Sequence, residues 1–561
     1  MTPSSTGNHL HWTVLAWALC AAACDGKSSG ETDLDVDVGS SDVGDGTTGP
    51  PDGTANGDDE SEDTGGGSGG VDADGDGYTV EAGDCDDADP EVNPGATDDA
   101  WDDRDCIAGI ERSSLDAIIA ADPTTTLLGI GLDSLGDLDG DGADELYAGA
   151  RFGSSESVLI WSGADLSDGA RLGTGDAIGR VDAPSEWFRA RVGGDPMGLG
   201  HRALVAQMRP PGRTVDHVYL LDPVAIITGE PVDFSVLPMV DGDGTTDGAG
   251  HGQGLAADID VDGDGIDDVL VGAPFQRSDA GPEVGRLDVH LGDGLRVAPR
   301  RAASDADVMV YGASAGSGGF GDFVARAGDV DGDGVDDVLT GATYLDDPRT
   351  GDAHAGAGYL FSGADLAAGA YDRATEAEVT VLGVEGDSIT MLMGMAGGVL
   401  GDLTGDGAAE IYFASPGVLN AVGAVWIFDG GSLGPGVWTA ADAMHSVHGA
   451  FDTDYLGLFM ETGFDFDQDG IDDAMFVGRS RGADHYLVSG ATLTTGGTTL
   501  LGTDPVLGMW GTSSTEFTTH GDAVYADIDA DGTGELVLSA AVDTTGGAET
   551  GAIYAIHTPR P

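Results

Sequence analysis

Carboxylates recur along this chain at a spacing that can wrap a cation. The clearest instance is Asp329-Val-Asp331-Gly-Asp333-Gly334-Val-Asp336-Asp337, followed by the apolar run Val338-Leu339-Thr340-Gly341-Ala342. Oxygens at loop positions 1, 3, 5 and 9 can converge on a hard cation that prefers many oxygen ligands, and position 7 can add a backbone carbonyl. Glycine at position 6 permits the positive-φ turn that brings the acids together. Without a cation these anions repel one another, so the loop reads as metal-dependent.

The full ligand sets are Asp137, Asp139, Asp141, Glu145; Asp260, Asp262, Asp264, Asp268; Asp329, Asp331, Asp333, Asp337; Asp465, Asp467, Asp469, Asp473; and Asp527, Asp529, Asp531, Glu535. A sixth copy keeps Asp402, Asp406 and Glu410 but carries Thr404 at position 3, which predicts weaker binding. The expected cofactor is Ca2+, about six ions across this region. First positions fall at Asp137, Asp195, Asp260, Asp329, Asp402, Asp465 and Asp527, that is, 58 to 73 residues apart. A period this long marks a repeat architecture, because one unit cannot bury its apolar face alone.

The elements that must position these loops are strands. Position 9 is followed by short β-type runs such as Leu146-Tyr147-Ala148, Val269-Leu270-Val271, Ile411-Tyr412-Phe413 and Leu536-Val537-Leu538. A second apolar run follows each, as in Val158-Leu159-Ile160-Trp161, Ala424-Val425-Trp426-Ile427-Phe428 and Ala552-Ile553-Tyr554. This is not the helix–loop–helix setting of an EF-hand. Short strands, Gly-rich turns and little helical periodicity predict an all-β fold. About 62 residues per unit suffice for a four-stranded blade, and radial repetition hides sheet edges, so seven units predict a seven-bladed β-propeller.

Two further motifs carry a resemblance. Phe320-Gly321 is followed by Val324-Ala325-Arg326-Ala327-Gly328-Asp329, and Gly272-Ala273-Pro274 follows the third loop, with looser copies at Gly149-Ala150 and Gly341-Ala342. Together with the acidic loops they resemble the FG-GAP repeats of integrin α-subunit propellers, over roughly residues 113–558. The resemblance implies that the calcium loops are β-hairpin loops on one face of the propeller, mainly supporting structure. No inserted von Willebrand-type domain and no integrin leg is recognisable.

The second copy departs from the pattern. Gly194-Asp195-Pro196-Met197-Gly198-Leu199-Gly200-His201-Arg202-Ala203 keeps its glycines and loses every acid after Asp195. Arginines crowd the same stretch: Arg171, Arg180, Arg189, Arg191, Arg202, Arg209 and Arg213. Two readings stand. A blade without metal can drift, its arginines pairing with neighbouring acidic loops; or Arg202, Arg209 and Arg213 form a contact site for an anionic ligand or acidic glycan.

Upstream, Asp72-Ala-Asp74-Gly-Asp76-Gly77-Tyr78 opens another acidic loop, followed by Gly83-Asp84-Cys85-Asp86-Asp87 and Asp105-Cys106. Residues 71–107 resemble the Asp-rich metal-binding motif of bacterial surface proteins, which implies one or two further Ca2+ ions. Gly83 stands where an EF-hand has its twelfth-position glutamate, and Arg104 stands where the motif carries Asn. Such a small module has little core, and a Cys85–Cys106 disulfide would staple it by about 3 kcal/mol in an oxidising compartment. A zinc site on these cysteines is the alternative.

Residues 1–23 read as a signal segment. Leu10 to Ala23 is mostly apolar and ends Ala21-Ala22-Ala23-Cys24, which resembles a bacterial lipobox with lipid on Cys24. Its n-region lacks Lys and Arg, and plain secretion after Ala23 is the fallback. Residues 25–70 hold thirteen acids and one base, Lys27, with few large apolar side chains. That composition predicts a disordered, self-repelling tether.

With 100 acids against 22 bases, the formal charge is −78, which rules against nucleic acid as a partner. No Gly-x-Ser-x-Gly elbow, His-Glu-x-x-His, Walker loop or dinucleotide fingerprint is present. The expectation is therefore a non-catalytic, lipid-anchored module of the bacterial cell envelope or surface that binds an extracellular protein or glycan. The alternative is a secreted hydrolase or lyase on a calcium-stabilised propeller.

Overall fold

The computed structural model describes residues 117–556, apart from 122–124, 154, 167–169, 184–187, 210–215, 243–249, 278–283, 314–317, 352–353, 384–391, 419–421, 450–454, 458, 479–484, 502–505, 511–521 and 541–550. The chain divides after Val71 into two units, and every described residue belongs to the second, Asp72–Pro561. The segments 1–23, 25–70 and 71–107 lie outside the described residues.

The strands form seven separate sheets in chain order, and the fold is a seven-bladed β-propeller. Blade 3 shows the plan. An inner strand, Leu255–Ile259, runs into the acidic loop; Asp268–Ala273 returns antiparallel, then Arg286–His290, then the outer strand Val308–Tyr311. The inner strands of the seven blades are Thr125–Gly136, Phe188–Val192, Leu255–Ile259, Phe320–Gly328, Ala396–Gly401, Phe459–Phe464 and Ala523–Ala526. Each acidic loop is thus the tip of a hairpin, with a strand before it as well as after.

The ring closes non-locally. Ala117–Ala120 is the outer strand of blade 7 and pairs antiparallel with Ala552–Ile556, placing Ile119 opposite Ile553. A short parallel strand from the next blade covers four outer edges: Arg171–Gly173, Arg300–Ala302, Gly436–Thr439 and Gly497–Leu500. Covered edges cannot template pairing with another chain.

Seven apolar cores lie between successive blades. Val269 and Val271 pack towards blade 2 with Val205, Val218 and Leu220, whereas Leu270 between them packs towards blade 4 with Phe320, Val338 and Phe361. A strand buried on both faces needs apolar residues without alternation, which is why Val269-Leu270-Val271 reads as a continuous run.

An apolar–glycine pair sets the register between neighbours. Phe320-Gly321 has equivalents at Leu128-Gly129, Met393-Gly394 and Leu456-Gly457, and the first residue of each makes a parallel bridge to a glycine of the preceding blade: Gly285, Gly551, Gly356 and Gly423 respectively. The second residue must be glycine. Gly394, at φ +76°, would drive a Cβ into the Ala357 carbonyl.

Candidate metal centres

Position 1 organises each loop. In blade 3, Asp260 accepts the Asp264 N–H at 3.1 Å on one oxygen and the Gly265 N–H at 2.8 Å on the other. The bond to the position-6 glycine recurs at Asp137, Asp329, Asp402, Asp465 and Asp527. Those glycines have φ between +82° and +100°. At position 4, Gln468 and Ala530 adopt the left-handed conformation that glycine fills elsewhere, at a cost of about 1 kcal/mol each.

At five loops, carboxylate oxygens converge within 4.8 Å of one another: Asp137, Asp139 and Glu145; Asp260, Asp262 and Asp268; Asp329, Asp331 and Asp333; Asp465, Asp467 and Asp473; Asp527, Asp529 and Asp531. The fourth expected ligands, Asp141, Asp264, Asp337, Asp469 and Glu535, stand outside these groups. Asp141, Asp264 and Asp469 accept the N–H of position 7, as do Asp333 and Asp531 within their groups. In blade 5, Asp402, Asp406 and Glu410 do not converge to that distance among the described residues.

The position-9 acid is buried and ties the loop to the blade. Asp268 accepts the Val261 N–H at 2.9 Å and the Gly292 N–H at 2.8 Å, where Gly292 opens the turn after the third strand. Asp337 and Asp473 bind Val330 and Gly363, and Phe466 and Gly490, in the same way. Where position 9 is glutamate, one oxygen still takes the position-2 N–H, as in Glu145 with Leu138 and Glu410 with Leu403. The other oxygen of Glu145 and of Glu410 is buried with no hydrogen-bond partner.

Electrostatics match this arrangement. Burial, reinforced by the loop aspartates, raises Glu145, Asp268 and Asp337 to about 7, Asp473 to about 6 and Glu535 to about 8. Buried carboxylates that resist ionisation, convergent oxygens and two stranded lone-pair oxygens all fit a hard divalent cation. The donor set is all oxygen, which suits Ca2+ rather than a nitrogen- or sulfur-preferring metal.

Blade 2 holds the same turn by other means. Asp195 accepts the Leu199 N–H at 2.6 Å and the Gly200 N–H at 2.8 Å, so the position-1 turn survives without further acids. Arg296, from blade 3, donates to the Asp195 and Pro196 carbonyls at 3.1 and 3.3 Å, and its guanidinium occupies the space a Cβ on Gly198 would need. His201 bonds Asp222 at 2.9 Å, linking this loop to the following turn.

The arginines expected to form one contact are separated. Arg202 precedes Leu204–Met208 and donates to the Ser134 carbonyl of blade 1 at 3.4 Å. Arg209 follows the same strand and pairs with Asp216 at 2.7 and 3.0 Å. The strand between them holds the two apart by about 20 Å at an ordinary rise per residue. Arg213, like Asp72, Asp74, Asp76, Cys24, Cys85 and Cys106, lies outside the described residues. Arg171 donates to the Ala170 carbonyl, Arg180 pairs with Asp182, and Arg191 donates to the Gln253 and Leu255 carbonyls.

Sequence reasoning missed two features. One is the buried ion pair of Arg286 and Asp288, at 2.6 Å on the third strand of blade 3; the alternating charges of Arg286-Leu-Asp288 were its only signal. The other is the position-8 acid, visible beside position 9 in Asp144-Glu145, Asp267-Asp268, Asp336-Asp337 and Asp472-Asp473.

Comparison with known proteins agrees with this geometry. The FG-GAP repeat family matches residues 251–287, the stretch from His251-Gly252 through the third loop into the third strand of blade 3. Integrin alpha-5 of Xenopus laevis is 36% identical over 109 residues, 18% of this chain and 9% of that protein. Integrin alpha-4 of Xenopus laevis is 32% identical over 140 residues, 25% of this chain and 12% of that protein. The chain thus matches only about a tenth of the length of these relatives. A solved structure described as the Dos1 propeller aligns over 77% of this chain and 78% of its own at 11% identity, with a TM-score of 0.35. By sequence, then, the chain is similar to FG-GAP repeats and to a stretch of two integrin α-subunits.

Proposed function

We propose that this protein is a calcium-loaded propeller of the cell envelope that binds an extracellular protein or glycan and catalyses nothing. The observation that carries the reading is the repetition of one convergent, all-carboxylate turn at five hairpin tips, each backed by a buried position-9 acid. Repeating a cation site at the same place in five blades stabilises hairpins; it builds no single reaction centre. Specificity in such a fold belongs to loops presented by a rigid scaffold. The similarity to integrin α-subunits supports a ligand-binding or adhesive role.

The test is a glycan and surface-protein binding screen of the full mature chain, run with calcium and with chelator. A saturable ligand retained only with calcium supports the proposal. Turnover of a polysaccharide in the same screen would replace it with the hydrolase or lyase reading. The anchor is tested separately: membrane-fraction protein with a lipidated Cys24 is expected, and a Cys24→Ala variant that stays lipid-labelled and membrane-bound would sink that part.

A further inference from the structure

Position 8 of several loops reaches across the blade boundary. Asp267, in blade 3, accepts the N–H of Asp195, the first residue of the blade 2 loop, at 2.6 Å. Asp336, in blade 4, accepts the N–H of Asp260, the first residue of the blade 3 loop, at 3.4 Å. At the boundary of blades 7 and 1 the contact is made by backbone, Asp144 donating its own N–H to the Asp527 carbonyl at 2.7 Å, while its carboxylate accepts from Ser134 Oγ in its own blade at 3.2 Å.

The residue just before position 1 gives an independent check. A Cβ on Gly194 would overlap the Asp267 carboxylate, and one on Gly401 would overlap that of Asp472. Gly136 and Gly328 occupy the same place in blades 1 and 4, where the next blade has Arg202 or Ala409 at position 8. Nothing lies within 4 Å of a Cβ at either. Among these four glycines the crowding follows the neighbour's acid, whereas before Asp260 the place is taken by Ile259, and Asp336 leaves room for its side chain. At the boundary of blades 1 and 2 the partner types are exchanged, since Arg202 is a donor and takes the Ser134 carbonyl.

We infer that Asp336, at position 8 of blade 4, is a positioning residue for Asp260, the first metal-ligating aspartate of blade 3, and that Asp267 holds the metal-free blade 2 turn in the same way. By holding the Asp260 N–H, Asp336 fixes the backbone from which the Asp260 carboxylate projects. Asp336 is itself clamped by Arg326, with contacts of 2.8 and 2.9 Å, so the acceptor is rigid. Ordering the first ligand in advance removes an entropy cost from cation capture. The blade 3 loop is then coupled to the blade 4 loop, and such coupling lapses where Arg202, Ala409 and Gly534 supply no side-chain acceptor.

This inference rests on the calcium reading for its consequence but not for its contact, and the experiment separates the two. Amide exchange at Asp260 is measured in the full chain with chelator, for wild type, Asp336→Ala and Asp336→Asn. Asp336→Ala should exchange at least about tenfold faster at Asp260, while Asp336→Asn, which keeps an oxygen acceptor, should stay near wild type. In a calcium titration, Asp336→Ala should weaken one site by about threefold or more, a change expected from losing one ordering hydrogen bond. Asp267→Ala, whose partner Asp195 lies in the acid-poor loop, should loosen the Asp195 amide and leave the calcium isotherm unchanged. An Asp260 amide as protected in Asp336→Ala as in wild type would overturn the inference. So would an equal loss of calcium affinity in both alanine variants. A wild-type chain that binds no calcium would remove the metal reading, with the amide exchange still deciding whether the latch exists.

Discussion

The Gly363 N–H donates to the Asp337 carboxylate at 3.0 Å and closes the blade 4 hairpin onto the turn that follows it. In blade 2 both ends of that bond are gone together. Ala203 takes the place of the acid, and Pro223, which has no N–H, takes the place of the glycine at the start of its helical turn. A buried acceptor without its donor costs free energy, so losing both is less damaging than losing one.

Restoring only the acid should therefore harm blade 2. Ala203 is fully buried, and Ala203→Asp should cost about 3 kcal/mol in chemical denaturation, from a buried carboxylate lacking its second donor. Adding Pro223→Gly returns an N–H and should recover about 1 kcal/mol. Strict additivity of the two changes would show that these positions do not meet.

Calcium should govern stability. A ligand that binds the folded loops but not the unfolded chain adds RT ln(1 + [Ca2+]/Kd) per site, about 2.7 kcal/mol at a hundredfold excess over Kd. Chelation should lower Tm steeply, magnesium should restore little, and Asp333→Ala should cost more than Thr404→Ala. Differential scanning calorimetry with and without chelator decides this, and anomalous diffraction should find no ion at Asp195.

The chelated protein should lose stability as pH rises from about 6.5 to 8. Glu535, Asp268 and Asp337 sit near 8, 7 and 7 in the folded chain, above their unfolded values, because burial disfavours the charge. The folded state then binds more protons than the unfolded state, so that contribution is present at low pH and fades through the folded pKa. His290 and His485, pushed down to about 4 by burial, are neutral when folded but about half protonated at pH 6.5 when unfolded, so they oppose the trend at the lower edge of the window and fall silent above about pH 7.5. Calcium should reverse the trend, since its ligands must be ionised. A Tm in chelator that is flat over the window would contradict these shifts.

Closure of the ring predicts a long-range effect of an N-terminal residue. Ile119 is fully buried between blades 7 and 1, and Ile119→Ala should cost about 3 kcal/mol of global stability. Val297, 87% exposed, should tolerate alanine within about 0.5 kcal/mol. Denaturant titration monitored by tryptophan fluorescence compares the two.

The sequence by itself determined the loops, their number and the all-β class, because these are local properties. Acids two residues apart around a positive-φ glycine form a turn whatever lies beyond, and short runs such as Val269-Leu270-Val271, largely β-branched and bounded by the Gly265 turn and Gly272, read as strands buried on both faces. Tertiary structure alone decided what each unit lacks. The strand ahead of a loop can have a weak apolar signal, as in Phe459-Met460-Glu461-Thr462-Gly463-Phe464, most of which is only partly buried. Pairing of Ile119 with Ile553 joins residues at opposite ends of the propeller, beyond any local pattern. The equivalents of Phe320-Gly321 escaped notice because the bridge they make constrains backbone, and leucine or methionine serves there as well as phenylalanine. Asp336 looked like one more acid in an acidic loop. Only the ring, by bringing Asp260 of the neighbouring blade against it, turns that carboxylate into a contact between blades.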